Sequence, residues 1–272
     1  MGSNPHIDID TYRVRPGNHL DLDKHATNDA GGFTKEAAIA HIEELHLKLQ
    51  TQQEQLFAQQ KHRVLIVVQA MDTGGKDGLI KSLLSSVNPQ GLRLATFKAP
   101  STIELAHDFL WRVHAEVPHD GELVIFNRSH YEDVLIVRVH ELVPESRWRG
   151  RYEHIRRFER LLTDEGTTVI KFFLHISKDE QKARLQARLD DPNKHWKFNR
   201  ADLDERKHWD DYTRAYQDAL SETSADHAPW YIIPADRKWF RDLVVAKVVT
   251  ETLDGLGLAY PPGEDLTGLV VD

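Results

Sequence analysis

The sequence predicts an α/β fold, a parallel central sheet of about five strands covered on both faces by helices, and three observations predict it. Five runs, 64–68, 92–97, 123–126, 168–174 and 230–233, are apolar and β-branched in the main rather than alternating, the pattern of strands buried on both faces. Stretches with helical period lie between them. A glycine-rich turn, 70–78, joins the first run to the next helix.

Taken in order, residues 1–33 read as an N-terminal arm, because 7–32 is rich in Asp, Asn, Gly and His without apolar period, and the arm is expected to wrap the domain surface. Within it Met1-Gly2-Ser3 is read as a remnant without functional weight. From 34 to 61, Ile42, Leu45, Leu49 and Leu56 recur at helical spacing among Glu, Gln and Lys, an amphipathic helix. Further helices are expected at 76–86, 103–115, 131–142, 152–162, 179–189, 202–220 and 239–256. One domain over 34–258 accounts for all of these, with a lid at 178–212, and Pro261-Pro262-Gly263 marks a C-terminal tail, 259–272.

Composition narrows the chemistry. Cysteine is absent from the 272 residues, which excludes disulfides, thiolate metal sites and cysteine nucleophiles. No apolar run of membrane-spanning length and no secretory leader is present, so a cytoplasmic protein without membrane or nucleic-acid partners is expected. The net charge of −8 means that any polyanion site must be a local concentration of cations. The sixteen histidines are scattered, without zinc-site spacing, and are read as surface residues, with His130 set apart because it lies beside Arg128.

The turn reads Ala70-Met71-Asp72-Thr73-Gly74-Gly75-Lys76-Asp77-Gly78. Strand, glycine turn and helix together make a phosphate loop: successive N–H groups curl around phosphate oxygens, the helix N-terminus adds its dipole, and Lys76 supplies a mobile cation. This is a P-loop, three-layer sandwich reading. Against G-x-x-x-x-G-K-[ST] the match is imperfect, with Ala70 for the first Gly and Asp77 for the hydroxyl. A carboxylate beside phosphate repels it unless a cation intervenes, so Asp72 is assigned to Mg²⁺ or to positioning the acceptor. Asp77 fits either the same role or plain stabilisation of the helix dipole.

The strand at 123–126 runs into Asn127-Arg128-Ser129-His130-Tyr131-Glu132-Asp133, which should face the phosphate loop because ligands gather where strands of an open sheet end. Asn127 stands where a Walker B Asp is expected, and Arg128 can fork onto phosphate oxygens. Glu132 and Asp133 serve equally well as site carboxylates or as helix-start residues. Asn127-Arg128-Ser129 also spells a glycosylation sequon, set aside because nothing indicates secretion.

Together these segments resemble the second polyphosphate kinase family. Residues 70–78, 127–133 and 189–198 resemble its Walker A, Walker B and lid motifs, and 9–14, 97–101 and 234–239 also match, so the resemblance spans nearly the whole chain. It implies a thymidylate-kinase-like fold with a helical lid, inorganic polyphosphate as donor, adenine nucleotides as acceptors, Mg²⁺ as cofactor with Mn²⁺ able to substitute, a reversible reaction, and a homo-oligomer, dimer or tetramer. Asn127 departs from the branch that handles nucleoside diphosphates and is similar to the branch that accepts both AMP and ADP.

The residues so assigned are Asp72, Lys76, Asn127, Arg128 and Glu132 for catalysis, with Asp72 as metal ligand. Thr73, Gly74, Gly75, Lys76, Asp77, Gly78, Arg184, Arg188, Lys194 and Lys197 are assigned to phosphate, and Phe97, Lys98, Arg112, Arg128 and Asp133 to the nucleotide. Arg184 and Arg188 sit one helical turn apart and repel unless something pairs them, as a phosphate chain would. The plain alternative is a solvated face neutralised by Asp190, Asp191, Asp202, Asp204 and Glu205. A second basic run, Arg147 to Arg160, suits either a channel or solvated helices. Trp196 and Phe198 are expected to anchor the lid or stack on a base. Two other functions share the motifs: an ATP-dependent nucleoside monophosphate kinase, and a non-catalytic P-loop module that binds polyanions or nucleic acid.

Overall fold

The computed structural model of the chain describes residues 5–271 apart from 18, 86 and 268, so the assignment of Met1-Gly2-Ser3 lies outside the described residues. All five expected strands form: β1 (Arg63–Ala70), β2 (Leu92–Thr96), β3 (Leu123–Asn127), β4 (Thr167–His175) and β5 (Trp230–Pro234). They pair in parallel in the order β2-β3-β1-β4-β5. The sheet's pleat sorts its side chains into two cores. Val64, Ile66 and Val68 join Ile170, Phe172 and Leu174 under α1 (Lys35–Gln59), α2 (Lys76–Leu84) and the last helix, Lys238–Asp254. Leu65 and Val67 join Val124, Phe126, Val169 and Phe173 under α3 (Glu145–Asp164) and the helix Trp209–Thr223. A helical arm, α4 (Lys178–Asp190), leaves β4; the helix Trp209–Thr223 is α5 and Lys238–Asp254 is α6. The result is the expected three-layer sandwich.

Strand β2 departs from the expectation of burial on both faces. It is the sheet edge, and only Ala95 of its five residues is buried. Three expected helices are also interrupted. Over 103–115 there are two short turns, Thr102–Leu105 and Trp111–His114, because the Asp108 carboxylate accepts from Leu110 N–H (2.9 Å) and restarts the chain. Over 131–142 a 3₁₀ turn (His130–Val134) gives way to Ile136–Val139 at Leu135, whose backbone (φ −104°, ψ −88°) is not helical. The 202–220 stretch is Ala201–Glu205, a 3₁₀ turn Arg206–His208, and then α5. Helix α3 in turn begins at Glu145, before the expected 152.

The arm does wrap the domain. Arg13 bridges Tyr231 antiparallel, Val14 N–H donates to Trp230 O (2.8 Å), and Tyr12, Val14, Leu20 and Leu22 are buried. The arm thereby covers the edge of β5, which would otherwise offer unpaired backbone groups to another chain. Among the described residues no helix is long and apolar enough to cross a membrane.

Candidate active site

The carboxyl ends of all five parallel strands converge on one cavity of about 660 Å³. Strand β1 delivers the loop 72–78, β2 delivers Thr96, Phe97 and Lys98, and β3 delivers Asn127 and Arg128. Behind β4, helix α4 contributes Arg184 and Arg188, and behind β5, helix α6 contributes Lys238 and Arg241. Lys194 and Lys197, from the turn Pro192–Lys197, and Asp202, from Ala201–Glu205, complete its lining. Nine cationic side chains line this cavity against three carboxylates, Asp72, Asp77 and Asp202. The surplus is local, since the whole chain is anionic.

The loop's conformation depends on its glycines. A Cβ on Gly74 would meet the Ala70 Cβ (2.5 Å) and the Met71 carbonyl oxygen (2.7 Å), and Gly75 sits at φ +100° with the Arg241 guanidinium against its α-carbon. Lys76 begins α2 and donates from Nζ to the Ala70 carbonyl (3.1 Å), an intramolecular partner it can exchange for an anion. Burial pushes the Lys76 pKa below the ordinary lysine value and Arg128 adds to this, while Asp72, Glu132 and Asp77 act in the opposite sense. The Thr73 hydroxyl oxygen is buried without a hydrogen-bond partner, and its residue lies at φ +59°.

Arg128 also adopts a left-handed backbone, φ +61°, unusual for a residue with a side chain. Its N–H remains tied to Val68 O (3.2 Å), and the turn sends the guanidinium to Asp72, Nη2 to Oδ1, at 3.0 Å. Burial works against that guanidinium's charge, but Glu132 and Asp72 outweigh it and its pKa is raised. Asn127 donates from Nδ2 to Asp77 Oδ1 (3.1 Å), so the residue in the Walker B position bonds to the loop acid. Burial raises the Asp202 pKa, with Asp72 adding to it and Arg188, Arg128 and Lys76 opposing.

Most assigned residues meet here. Asp72 to Gly78, Phe97, Lys98, Asn127, Arg128, Arg184, Arg188, Lys194 and Lys197 all line the cavity. Glu132 lies behind Arg128 and lines a separate cavity of about 200 Å³. Asp133 and Arg112 do not line the phosphate-loop cavity. Asp133 pairs with Arg151 (3.0 Å), and Arg112 donates to the Lys98 carbonyl (2.8 Å) with its guanidinium 5.6 Å from the Phe97 ring centroid. Phe97 is buried, edge-on to Phe126.

Several finer expectations change. Arg184 is already paired, with Glu180 of its own helix (2.7 Å), and also donates to Thr73 O (3.2 Å) and Ala235 O (2.5 Å), so it splints two loops to α4; Arg188 contacts Asp202 at 3.5 Å and the Lys197 carbonyl at 3.2 Å. The basic run of α3 is largely paired with neighbouring acids, Arg149 with Glu145, Arg156 and Arg157 with Glu153, and Arg160 with Asp164, which is the solvated-helix alternative. His130 is fully buried and turns away from Arg128 to Glu159 (3.2 Å). Trp196 does not anchor the lid: it is 79 % exposed, with Lys197 Nζ over its ring. Replacing it, Trp196→Ala, should therefore change unfolding stability by no more than about 0.5 kcal/mol in a thermal or denaturant melt.

Arg241 and Lys238 were not among the assigned residues. Arg241 is 2 % exposed, donates to Gly75 O (3.0 Å) and pairs with Asp242, so it props the loop from below. A signal existed, since both lie at or just beyond 234–239 and are three apart on one helix. Gln181, which donates to Asp72 O (2.9 Å), carried no such signal.

Comparison with known proteins agrees with this geometry. Residues 32–257 match the family described as Polyphosphate kinase 2. The chain is 53% identical over 262 residues to the AMP/ADP-polyphosphate phosphotransferase of Meiothermus ruber, covering 96% of this chain and 98% of that one. It is 47% identical to the ADP-polyphosphate phosphotransferase of Rhodopseudomonas palustris, covering 92% and 91%. The crystal structure of polyphosphate kinase 2 from Arthrobacter aurescens TC1 superposes with a TM-score of 0.90 at 43% identity, over 93% of this chain and 91% of that one. With a family model matched over residues 32–257 and relatives about half identical over nine-tenths of both chains, the chain belongs to the polyphosphate kinase 2 family.

Proposed function

We propose that this protein transfers the terminal phosphoryl group of inorganic polyphosphate to AMP or ADP, reversibly. The observation that carries the reading is the excess of cations around the phosphate loop of an otherwise acidic protein. A single nucleotide donor would not need so many. A chain of phosphates, one negative charge per unit, would engage several at once. The names of the two relatives, which act with polyphosphate on AMP or ADP, point the same way.

Phosphoryl transfer asks for alignment and charge neutralisation more than covalent chemistry. The loop's backbone and the α2 N-terminus hold phosphate oxygens, Lys76 leaves the Ala70 carbonyl for them, and Arg128 neutralises charge on the transferred group. Arg184 and Arg241 hold the loop's shape. The attacking phosphate oxygen is already anionic near neutral pH, so no strong base is required.

Mg²⁺ belongs to the same reading, with Mn²⁺ able to replace it. Among the described residues no group of three or more His, Asp or Glu side chains is placed to cage a metal. Mg²⁺ is commonly held by one or two carboxylates together with substrate phosphates. Asp72, whose second carboxylate oxygen is not taken by Arg128, would hold it, and Asp77 is the nearest loop acid to assist. A divalent cation held by these carboxylates would supply neutralisation of the negative charge on the phosphate oxygens.

Purified protein given long-chain polyphosphate, Mg²⁺ and either AMP or ADP, without ATP, should form ATP, and EDTA should stop it. Product only when ATP is the donor would replace this reading by a nucleotide-donor kinase. Salt-sensitive nucleic-acid binding without any transfer would replace it by a polyanion-binding module. Assembly as a dimer or tetramer is part of the proposal and is checked by light scattering.

A further inference from the structure

One polar side chain interrupts the apolar interior of the central strand. Gln69 is the penultimate residue of β1, after Val64 to Val68, and is fully buried. Its register partner on β4 is Phe173, while pairing with β3 has ended one residue earlier, at Val68 and Asn127. A buried amide is tolerated only with its hydrogen bonds made. Gln69 makes them with the chain that has just left β3. The amide's two ends are told apart by their partners: with the oxygen turned to Ser129 it accepts from Ser129 Oγ (3.1 Å) and Ser129 N–H (3.2 Å), and Nε2 then donates to Glu132 Oε1 (3.0 Å), whereas the opposite assignment would set the oxygen against the carboxylate and the NH₂ against the Ser129 N–H.

Glu132 is the carboxylate behind Arg128. Lys76 and Asp72 face it from the phosphate loop, Arg128 from the end of β3, and Tyr212 and Tyr216 from α5. Asp202, Glu205 and Arg206 lie across the small cavity they share. A carboxylate so placed can turn either toward its cations or away from them. A fixed donor on one oxygen decides which way it turns.

We propose that Gln69 is a positioning residue that fixes the orientation of the Glu132 carboxylate, which lines one small cavity together with Arg128 and Asp72 and supports the guanidinium's charge there. The inference rests on the phosphotransfer reading above. Its hydrogen-bond partners, Ser129 and Glu132, do not line the phosphate-loop cavity, so Gln69 acts on that site through them. Ser129, whose backbone follows the strained Arg128, fixes the amide's other end and so couples strand β1 to the turn that carries the guanidinium.

A double-mutant cycle separates this role from a packing role. Gln69→Met keeps length and volume while removing the donor, and should lower kcat by about tenfold, the rate equivalent of one hydrogen bond to a charged group. It should leave KM for the nucleotide within about twofold. Glu132→Gln should cost about a hundredfold, and the Q69M/E132Q protein should be no worse than E132Q alone. Additive losses, or an E132Q variant as active as wild type, would overturn the proposal. Should Q69M not accumulate as folded protein, Gln69→Asn, which keeps the amide but cannot reach Glu132, takes its place in the cycle. Wild-type turnover with polyphosphate and ADP is measured first and tests the activity itself. If the wild type gives none, the same cycle is read in tripolyphosphate affinity by calorimetry, where coupling supports the positioning role and additivity overturns it.

Discussion

Lys76→Ala should lower polyphosphate-dependent ATP formation by at least about a thousandfold while leaving the unfolding midpoint within a few degrees of wild type. The two halves of this expectation have different physical sources. Stability hardly depends on the ammonium, because its hydrogen-bond partner is a single backbone carbonyl, Ala70 O. Its burial beside Arg128 is a cost that removal relieves. Turnover depends on it because it is the cation at the start of α2, and a phosphate chain on the loop would lie within its reach. Lys76→Arg should not restore activity. The planar guanidinium must fit a loop where Gly74 leaves no room for even a methyl group and Gly75 is already capped by Arg241. Steady-state kinetics with ADP and polyphosphate, alongside a circular-dichroism melt, check both halves. Near-normal turnover in K76A would remove the central role assigned to the loop.

How much of this was legible in the residues follows from which forces decide each element. The five strands were readable because burial on both sheet faces leaves no polar positions to confuse the period, and the edge strand β2, with Arg93 and Thr96 exposed or half-exposed, is where that reading weakened. Helix interruptions at Asp108 and Leu135 were not readable. At Asp108 a side chain captures a backbone N–H, at Leu135 the backbone itself leaves the helical region, and neither alters the apolar spacing that a periodicity test sees. The phosphate loop and Arg128 were readable since loop chemistry is local in sequence. Arg241 and Gln69 were missed because each acts at long range: Arg241 reaches Gly75 from 166 residues away, and Gln69 looks in sequence like one polar slip in an apolar run. His130 was set apart for lying beside Arg128 in sequence, yet the chain turns through the left-handed backbone of Arg128 and enters a 3₁₀ turn at His130, so its ring goes into the core.

That core holds the second large effect. Lys171 of β4 and Glu159 of α3 are an ion pair with 0% and 1% of their side chains exposed, Nζ to Oε2 at 2.5 Å. Tyr131 OH donates to Glu159 Oε1 (2.7 Å), His130 Nε2 lies 3.2 Å from the same oxygen, and Lys171 also donates to Thr223 O (2.9 Å). Burial alone would raise the Glu159 pKa, but Lys171 and His130 outweigh it and hold the carboxylate below the ordinary glutamate value. Glu159→Gln leaves the ammonium buried without its counter-charge and should cost about 3–5 kcal/mol, a fall in midpoint on the order of 10 °C. Because the folded pKa of Glu159 is depressed, its contribution is complete above the ordinary glutamate range and disappears as pH falls through the lowered value. The wild-type advantage over E159Q should therefore narrow on acidification. Adding Lys171→Met should recover more than half of the loss, since removing both charges also removes the desolvation that burdens the lone one. Thermal melts of the three variants from acid to neutral pH decide the matter. A double variant less stable than E159Q would mean that the pair contributes net stability, rather than being a buried charge network that is costly only when broken.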